Sequence, residues 1–276
     1  MKILDGRELA TYIKNRQSTE VTTLRINYKK IPKLAIVQIK DDPVINTYVR
    51  LKQQYGSDIG IEVDSYHPKQ IDAIATIQKL NKDQSVDGII VQLPIEDTLQ
   101  TDEILNSVLA TKDVDALAEK TEFEPATPTA ILWLLAGYNI DLNGKTILII
   151  GKGKLVGQPL AKMIESSGQN VVVADRKTKD LSKLTMGSDI IITATGSPSI
   201  LNSKMIKTGS VVIDAGVATD KGKNIGDLDQ DVYLRNDLIV TPTRGGIGPL
   251  TVCSLFANVI QSAQNTVNNK FTVDKL

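Results

Sequence analysis

Short apolar runs alternate with stretches of helical periodicity along nearly the whole chain, and that alternation leaves few folds open. Leu34-Ala35-Ile36-Val37-Gln38-Ile39 reads as a strand, followed by a predicted helix from about Val44 to Ile59. Residues 61–66 alternate as a second strand. Ile71, Ile74, Ile77 and Leu80 recur at helical spacing, and residues 88–93 form a third strand stopped by Pro94. Thr127 can cap a helix that has Pro128 at its first position. Beyond it, strands are predicted at 146–150, 171–174, 190–193, 211–214 and 238–241, with a closing helix at about 249–265. This pattern predicts an α/β chain whose mostly parallel sheets are covered by helices. The two series imply two domains. One is residues 1–120, completed by the closing helix at about 249–265; the other is residues 121–248, a Rossmann-type domain.

Composition narrows the function. The chain has 276 residues, 41% hydrophobic and 23% charged, which suits a globular protein and not a disordered one. Lys plus Arg and Asp plus Glu both number 32, so an electrostatic hold on nucleic acid or an anionic membrane is not expected. The apolar stretch from Ala130 to Gly137 is far short of the ~20 residues a membrane helix needs. Asp5, Arg7 and Glu8 break any signal-peptide core, so a soluble, cytoplasmic protein is expected. Cys253 and His67 are the single cysteine and the single histidine. They allow no intrachain disulfide and no Cys/His zinc site, and no metal is expected.

One turn points to a dinucleotide. The strand Ile147-Leu148-Ile149-Ile150 runs into Gly151-Lys152-Gly153-Lys154-Leu155-Val156-Gly157, a G-x-G-x-x-x-G spacing one residue longer than the usual fingerprint. Glycines here let backbone approach a pyrophosphate whose charge rests on the next helix N-terminus. Asp175 ends the following strand, where an acidic residue accepts ribose hydroxyls, and the adjacent Arg176 could instead pair a 2′-phosphate. NAD and NADP therefore both remain open. Elsewhere, Tyr48 and Lys52 are one helical turn apart and share a face. From that spacing alone an ordinary amphipathic helix is the simpler account. Gln92 lies at a strand's C-terminal end, where ligands gather in α/β sheets. Arg244-Gly245-Gly246-Ile247-Gly248 is a glycine-rich loop opening a helix, either a flexible connector or backbone that approaches a ligand.

Taken in order, these segments resemble the bifunctional methylenetetrahydrofolate dehydrogenase/methenyltetrahydrofolate cyclohydrolase family. The resemblance runs through Leu4-Asp5-Gly6, Asp41-Asp42-Pro43, Tyr48-Val49-Arg50-Leu51-Lys52 and Asp87 to Pro94. It continues through Lys112-Asp113-Val114-Asp115, Pro125 to Pro128, Val156 to Pro159, Gly226-Asp227 and Gly245 to Thr251. It implies a folate-side domain and a Rossmann domain facing each other across a cleft, a folate substrate, a homodimer, and NADP with NAD possible. It implies that Tyr48 stacks on the pterin, that Lys52 serves the cyclohydrolase step, that Gln92 orients Lys52, and that Asp115 bonds the pterin edge. Val49, Arg50, Leu51, Val91, Leu93 and the loop from Arg244 to Gly248 would line the substrate. Gly151, Lys152, Gly153, Arg176 and Val217 fall where the family holds its cofactor. Several positions depart from the usual pattern. Lys152 and Gly153 stand for Arg and Ser, Ala174-Asp175-Arg176 for Cys-His-Ser, Ile45 for Ser, Arg244 for Pro, and Ala116 for Gly. Two other readings remain: an unrelated two-domain Rossmann dehydrogenase, or a member that binds folate or dinucleotide without turnover.

Overall fold

A computed structural model describes residues 1–220 and 223–273. The chain divides into two units, residues 11–126 with 252 onward and residues 1–10 with 127–251.

The first unit is built on a three-stranded parallel sheet of β2 (Lys33–Gln38), β3 (Glu62–Tyr66) and β4 (Gly88–Gln92), in the order β3-β2-β4. Parallel neighbours need crossover helices, here α2 (Pro43–Ile59) and α3 (Ala73–Lys82); α4 (Thr101–Leu105) follows β4. The central strand β2 is covered on both faces, which is why it reads as a continuous apolar run. Leu34 and Ile36 join Ile45 and Val49 of α2 and Phe256 and Val259 of the C-terminal helix α8 (Ile247–Val273). Ala35 and Val37 turn the other way, onto Ala73, Ile77 and Leu80 of α3. Val21 and Leu24 of α1 (Gly6–Tyr28) complete the first of these cores.

The ends of α2 follow from its sequence. Asp42 caps it, accepting from the backbone N–H of Val44 (2.8 Å) and of Ile45 (3.3 Å), and Pro43 opens it. Gly60 stops it at φ +83°, a left-handed conformation that glycine adopts without strain.

The second unit holds a six-stranded parallel sheet in the order β1-β11-β8-β7-β5-β6. Its strands are β1 (Lys2–Ile3), β5 (Ile147–Ile150), β6 (Val171–Ala174), β7 (Ile190–Thr193), β8 (Val211–Asp214) and β11 (Ile239–Val240). Helices α5 (Ala126–Gly137), α6 (Gly157–Ser166) and α7 (Leu181–Gly187) accompany it, with a small antiparallel pair, β9 (Ala218–Asp220) and β10 (Lys223–Ile225). Leu148, Ile150, Ile191, Val212 and Val240 form part of its core. From β5 the chain steps one way to β6 and the other way to β7, so the carboxyl ends of β5 and β7 flank the point where the winding reverses.

Two expectations change. Residues 1–10 group with the second unit and not with the first. The backbone N–H groups of Lys2 and Leu4 donate to the carbonyls of Leu238 and Val240 (both 2.9 Å), adding β1 to the sheet edge. A two-residue strand leaves no alternation for sequence to show. The closing helix is also longer than 249–265, because Ile247 to Val273 all keep helical backbone.

A close approach within the first unit gives a stability test. A Cβ built on Gly56 of α2 would lie 2.4 Å from Val63 Cγ2 and 3.2 Å from both the Ile61 carbonyl oxygen and Phe256 Cε1. Gly56→Ala should destabilise the protein by about 1–3 kcal/mol through overpacking. A denaturation midpoint equal to that of the unsubstituted protein would contradict this packing.

Candidate active site

Three polar residues of the first unit converge at the carboxyl end of its sheet. Lys52, in the middle of α2, donates from Nζ to Gln92 Oε1 at 2.6 Å. Gln92 ends β4, and its Nε2 donates to the Leu93 carbonyl at 3.0 Å, which leaves the amide oxygen facing the lysine. The Leu93–Pro94 peptide is cis. Burial pushes the Lys52 ammonium below the usual lysine range, although the nearby Asp115 carboxylate pulls the other way. Burial pushes Asp115 above the usual carboxylate range, with Lys52 opposing. The arrangement therefore offers an amine whose hold on its proton is weakened by burial, beside a neutral acceptor that adds no negative charge. Tyr48, one turn earlier on α2, keeps 38% of its surface exposed.

The other residues marked from the sequence separate by environment. Val49 and Val91 are buried in the two cores, so only their backbone can reach a ligand. Leu93 is half-buried against the core of β4, and Leu51 is exposed. Arg50 is exposed and lines a groove of about 1030 Å³ with Asn46, Gln53, His67 and Lys69; Lys52, Gln92 and Asp115 are not in its lining.

Asp115 is placed by residues to which the sequence assigned no role. Asp113, buried, accepts from the backbone N–H of Ala118 at 3.0 Å and of Leu117 at 3.4 Å, closing the turn around Asp115. Asn258 of α8 donates from Nδ2 to the carbonyls of Val114 (2.8 Å) and Glu124 (2.9 Å). The available signal for Asn258 was a polar stripe, Ser254, Asn258 and Ser262, one turn apart in a helix rich in apolar residues. A second tether starts at the buried Gln38, which donates to Asn46 Oδ1 at 2.5 Å. Asn46 in turn donates to Asp41 at 2.8 Å, which fixes the entry to α2.

In the second unit the glycine turn has the geometry a dinucleotide needs. Gly151 follows β5 at φ +115°, and a Cβ there would lie 2.4 Å from the Ala194 carbonyl oxygen. A Cβ on Gly157 would lie 1.8 Å from the Gly151 carbonyl oxygen, whereas one on Gly153 would meet nothing within 4 Å. Helix α6 then starts with no side chain capping it. An uncapped helix N-terminus behind an open glycine turn fits a pyrophosphate. Lys152 is exposed at this turn. The N–H of Gly151 donates to the Ala174 carbonyl at 2.8 Å, so Asp175 and Arg176, both exposed, leave the sheet beside it. Asp175 Oδ1 accepts from the backbone N–H of Lys177 at 2.8 Å. Val217 is exposed just beyond β8.

The loop from Arg244 to Gly248 lies after β11 and runs into α8. The N–H of Gly6 donates to the Gly245 carbonyl at 2.9 Å, and a Cβ on Gly6 would lie 1.8 Å from the Gly246 carbonyl oxygen. Arg7 donates to the Arg244 carbonyl at 2.6 Å. Gly245 sits at φ +87°, and Ile247 is buried. Among the described residues no helix is long and apolar enough to cross a membrane, and no group of His, Cys, Asp or Glu could hold a metal ion.

A family model for the catalytic domain of tetrahydrofolate dehydrogenase/cyclohydrolase matches residues 4–115, and one for its NAD(P)-binding domain matches residues 125–267. The bifunctional protein FolD of Campylobacter jejuni (strain RM1221) is 38% identical over 97% of this chain and 100% of its own. The crystal structure of a bifunctional FolD methylenetetrahydrofolate dehydrogenase/cyclohydrolase from Campylobacter jejuni superposes with a TM-score of 0.90 at 37% identity, over 96% of this chain and 99% of its own. A Trypanosoma brucei methylenetetrahydrofolate dehydrogenase-cyclohydrolase, complexed with NADP cofactor and inhibitor, gives 0.90 at 27% identity, over 96% and 98%.

Ala116 stands beside Asp115 at φ +56°. The left-handed conformation costs a non-glycine residue about 1–2 kcal/mol. Replacing alanine with glycine returns roughly 0.4–1 kcal/mol of that through the freer unfolded chain. Ala116→Gly should therefore stabilise the protein by about 0.5–1 kcal/mol. A chemical-denaturation midpoint that falls in this variant would contradict it.

Proposed function

The chain belongs to the tetrahydrofolate dehydrogenase/cyclohydrolase family, and on that premise we propose how its residues divide the work of two reactions. The protein oxidises methylenetetrahydrofolate to methenyltetrahydrofolate with NAD(P), then hydrolyses the methenyl compound to formyltetrahydrofolate. The observation that carries the assignment of roles is the Lys52–Gln92 hydrogen bond beside Asp115.

The oxidation removes a hydride from a methylene carbon bridging two nitrogens and leaves a delocalised amidinium cation. No proton need move, so Lys52 is not required for that step. The bound dinucleotide supplies the hydride acceptor. Tyr48 stacks on the pterin, and Asp115 accepts hydrogen bonds from the pterin's amino and ring N–H groups. These donors favour the ionised carboxylate that burial disfavours. Hydrolysis does move protons. As water adds to the cationic carbon, neutral Lys52 takes one of its protons and returns it to the ring nitrogen that departs. Water's other proton leaves to solvent as the formyl carbonyl forms, so the cation is converted to a neutral product with the net release of one proton. Gln92 orients the amine without adding charge, which keeps the proton affinity low enough for both transfers.

On the same reading, residues 11–126 with α8 form the folate-binding part, and residues 1–10 with 127–251 form the dinucleotide-binding part. Gly151, Lys152 and Gly153 hold the phosphates, and Val217 borders the cofactor. The loop from Arg244 to Gly248 lines the substrate. We favour NADP as the working cofactor. Lys152 and Arg176 offer two exposed cations, and the Asp175 carboxylate already serves its own turn. A homodimer working in the cytoplasm fits the family, and a single buried cysteine suits a reducing compartment.

Lys52→Met should abolish methenyl hydrolysis while keeping much of the hydride transfer; equal loss of both in a folded variant would contradict separate roles. Gln92→Glu should set a carboxylate against Lys52 and raise its proton affinity. Because the neutral amine is the working form, the rising limb of the hydrolysis pH profile should move to higher pH, by about 1–3 pH units. An unmoved limb argues against Lys52 as the base. Arg176→Ala should weaken NADP by about 1.5–3 kcal/mol and barely affect NAD. Dissociation constants for both cofactors check this, and the reverse pattern would make NAD the working one.

A further inference from the structure

Two carboxylates in the second unit lie outside every role given so far. Asp214 is the last residue of β8, paired in register with Thr193, the last of β7. Its carboxylate accepts from the backbone N–H groups of Gly216 (3.0 Å), Asp227 (3.0 Å) and Leu228 (3.3 Å), and from the Thr193 hydroxyl (3.2 Å). Asp227 is fully buried. Its Oδ2 accepts from the backbone N–H of Thr195 at 2.7 Å and its Oδ1 from that of Ser197 at 3.0 Å. The result is a continuous clip, from the turn after β7, through Asp227 and Asp214, to the turn after β8.

Sequence has made room for this clip at some cost. A Cβ on Gly216 would lie 2.1 Å from the Asp227 carboxylate, and one on Gly226 would lie 2.0 Å from Asp214 Oδ2. Packing two acids together is unfavourable, and Asp227 adds to the burial that raises the Asp214 carboxyl above its usual range. Five backbone N–H groups are the return. They fix backbone and add nothing to the core. Part of the backbone they fix borders the glycine turn, since Ala194, against which Gly151 packs, immediately precedes Thr195; Gly196 in turn lies close to the carbonyl of Val217, which immediately follows Gly216.

We propose that Asp227 is a positioning residue for dinucleotide binding, holding the Thr195–Ser197 turn and, through Asp214, the Gly216–Val217 turn in the conformation that accepts the cofactor. This rests on the dehydrogenase reading above. A neutral amide at this position can accept through one atom only, so one of the two N–H groups would face another donor.

The test uses the full chain and both activities. Asp227→Asn should raise the KM for NADP on the order of tenfold or more, the scale of a lost charge-assisted hydrogen bond. Methenyl hydrolysis, which uses no dinucleotide, should stay within about twofold, a difference of about 0.4 kcal/mol in the barrier. Gly216→Ala keeps the acid but pushes a methyl against it, and it should raise the same KM. Amide hydrogen exchange should speed up at Thr195 and Ser197 in Asp227→Asn. An unchanged KM for NADP in both variants overturns the proposal, and so does a parallel fall in both activities and in thermal stability. If the unsubstituted protein oxidises methylenetetrahydrofolate with neither dinucleotide, the dehydrogenase reading itself fails, and this inference fails with it.

Discussion

The short hydrogen bond from Lys52 to Gln92 sets a requirement that much of the first unit serves. A lysine next to a carboxylate holds its proton tightly, and a lysine in water holds it nearly as well. Here the nearest acceptor is a neutral amide, and the surroundings strip water from the amine. Keeping that balance needs α2 and β4 in fixed register. The parallel pairing of β2 with β4 and the packing of Ile45 and Val49 against β2 supply it. The capping of α2 by Asp42 and the Gln38–Asn46–Asp41 tether fix where the helix starts. Asp115 enters through a separate route, on a turn closed by Asp113 and held by Asn258. An amine whose proton affinity burial lowers is thus a property of the assembled sheet and helices together.

Much of this was legible in the sequence, and for physical reasons. Strands buried on both faces are continuous apolar runs, and a glycine turn that leads into a helix is spelled out by residue type. The i to i+4 spacing of Tyr48 and Lys52 is visible too, but spacing cannot tell a ligand-binding face from a plain amphipathic one. The polar supports were not legible. Gln38 and Asn258 sit in segments that read as core, and Asp113 lies in a stretch that shows only a family resemblance; their bonds to the Asn46 side chain, the Ala118 N–H and the distant Val114 carbonyl follow no spacing rule. The grouping of residues 1–10 with the second unit was hidden because β1 is too short to show a period. Val49 and Val91 lie inside the stretches that resemble the family, yet their side chains serve the core.

The positions that differ from the usual family pattern also behave differently from one another. Ala116 occupies a left-handed conformation where glycine would be unstrained. Arg244 contributes its carbonyl to Arg7, a bond that asks nothing of its side chain. Lys152, Asp175 and Arg176 are all exposed at neighbouring strand ends, where changes of charge disturb no packing. Departures at such places can retune which cofactor is preferred while the fold stays as it is.

The edge strand β1 has a consequence for how the protein comes into being. Lys2 and Ile3 are synthesised more than two hundred residues before their partners Ile239 and Val240. The edge of the six-stranded sheet therefore waits for residues 239–240 to be made, and the three-stranded sheet, whose strands lie within residues 33–92, is synthesised in the interval. Closure over so long a loop places the completion of the second unit late in assembly, after the segment that carries Lys52 has had time to form.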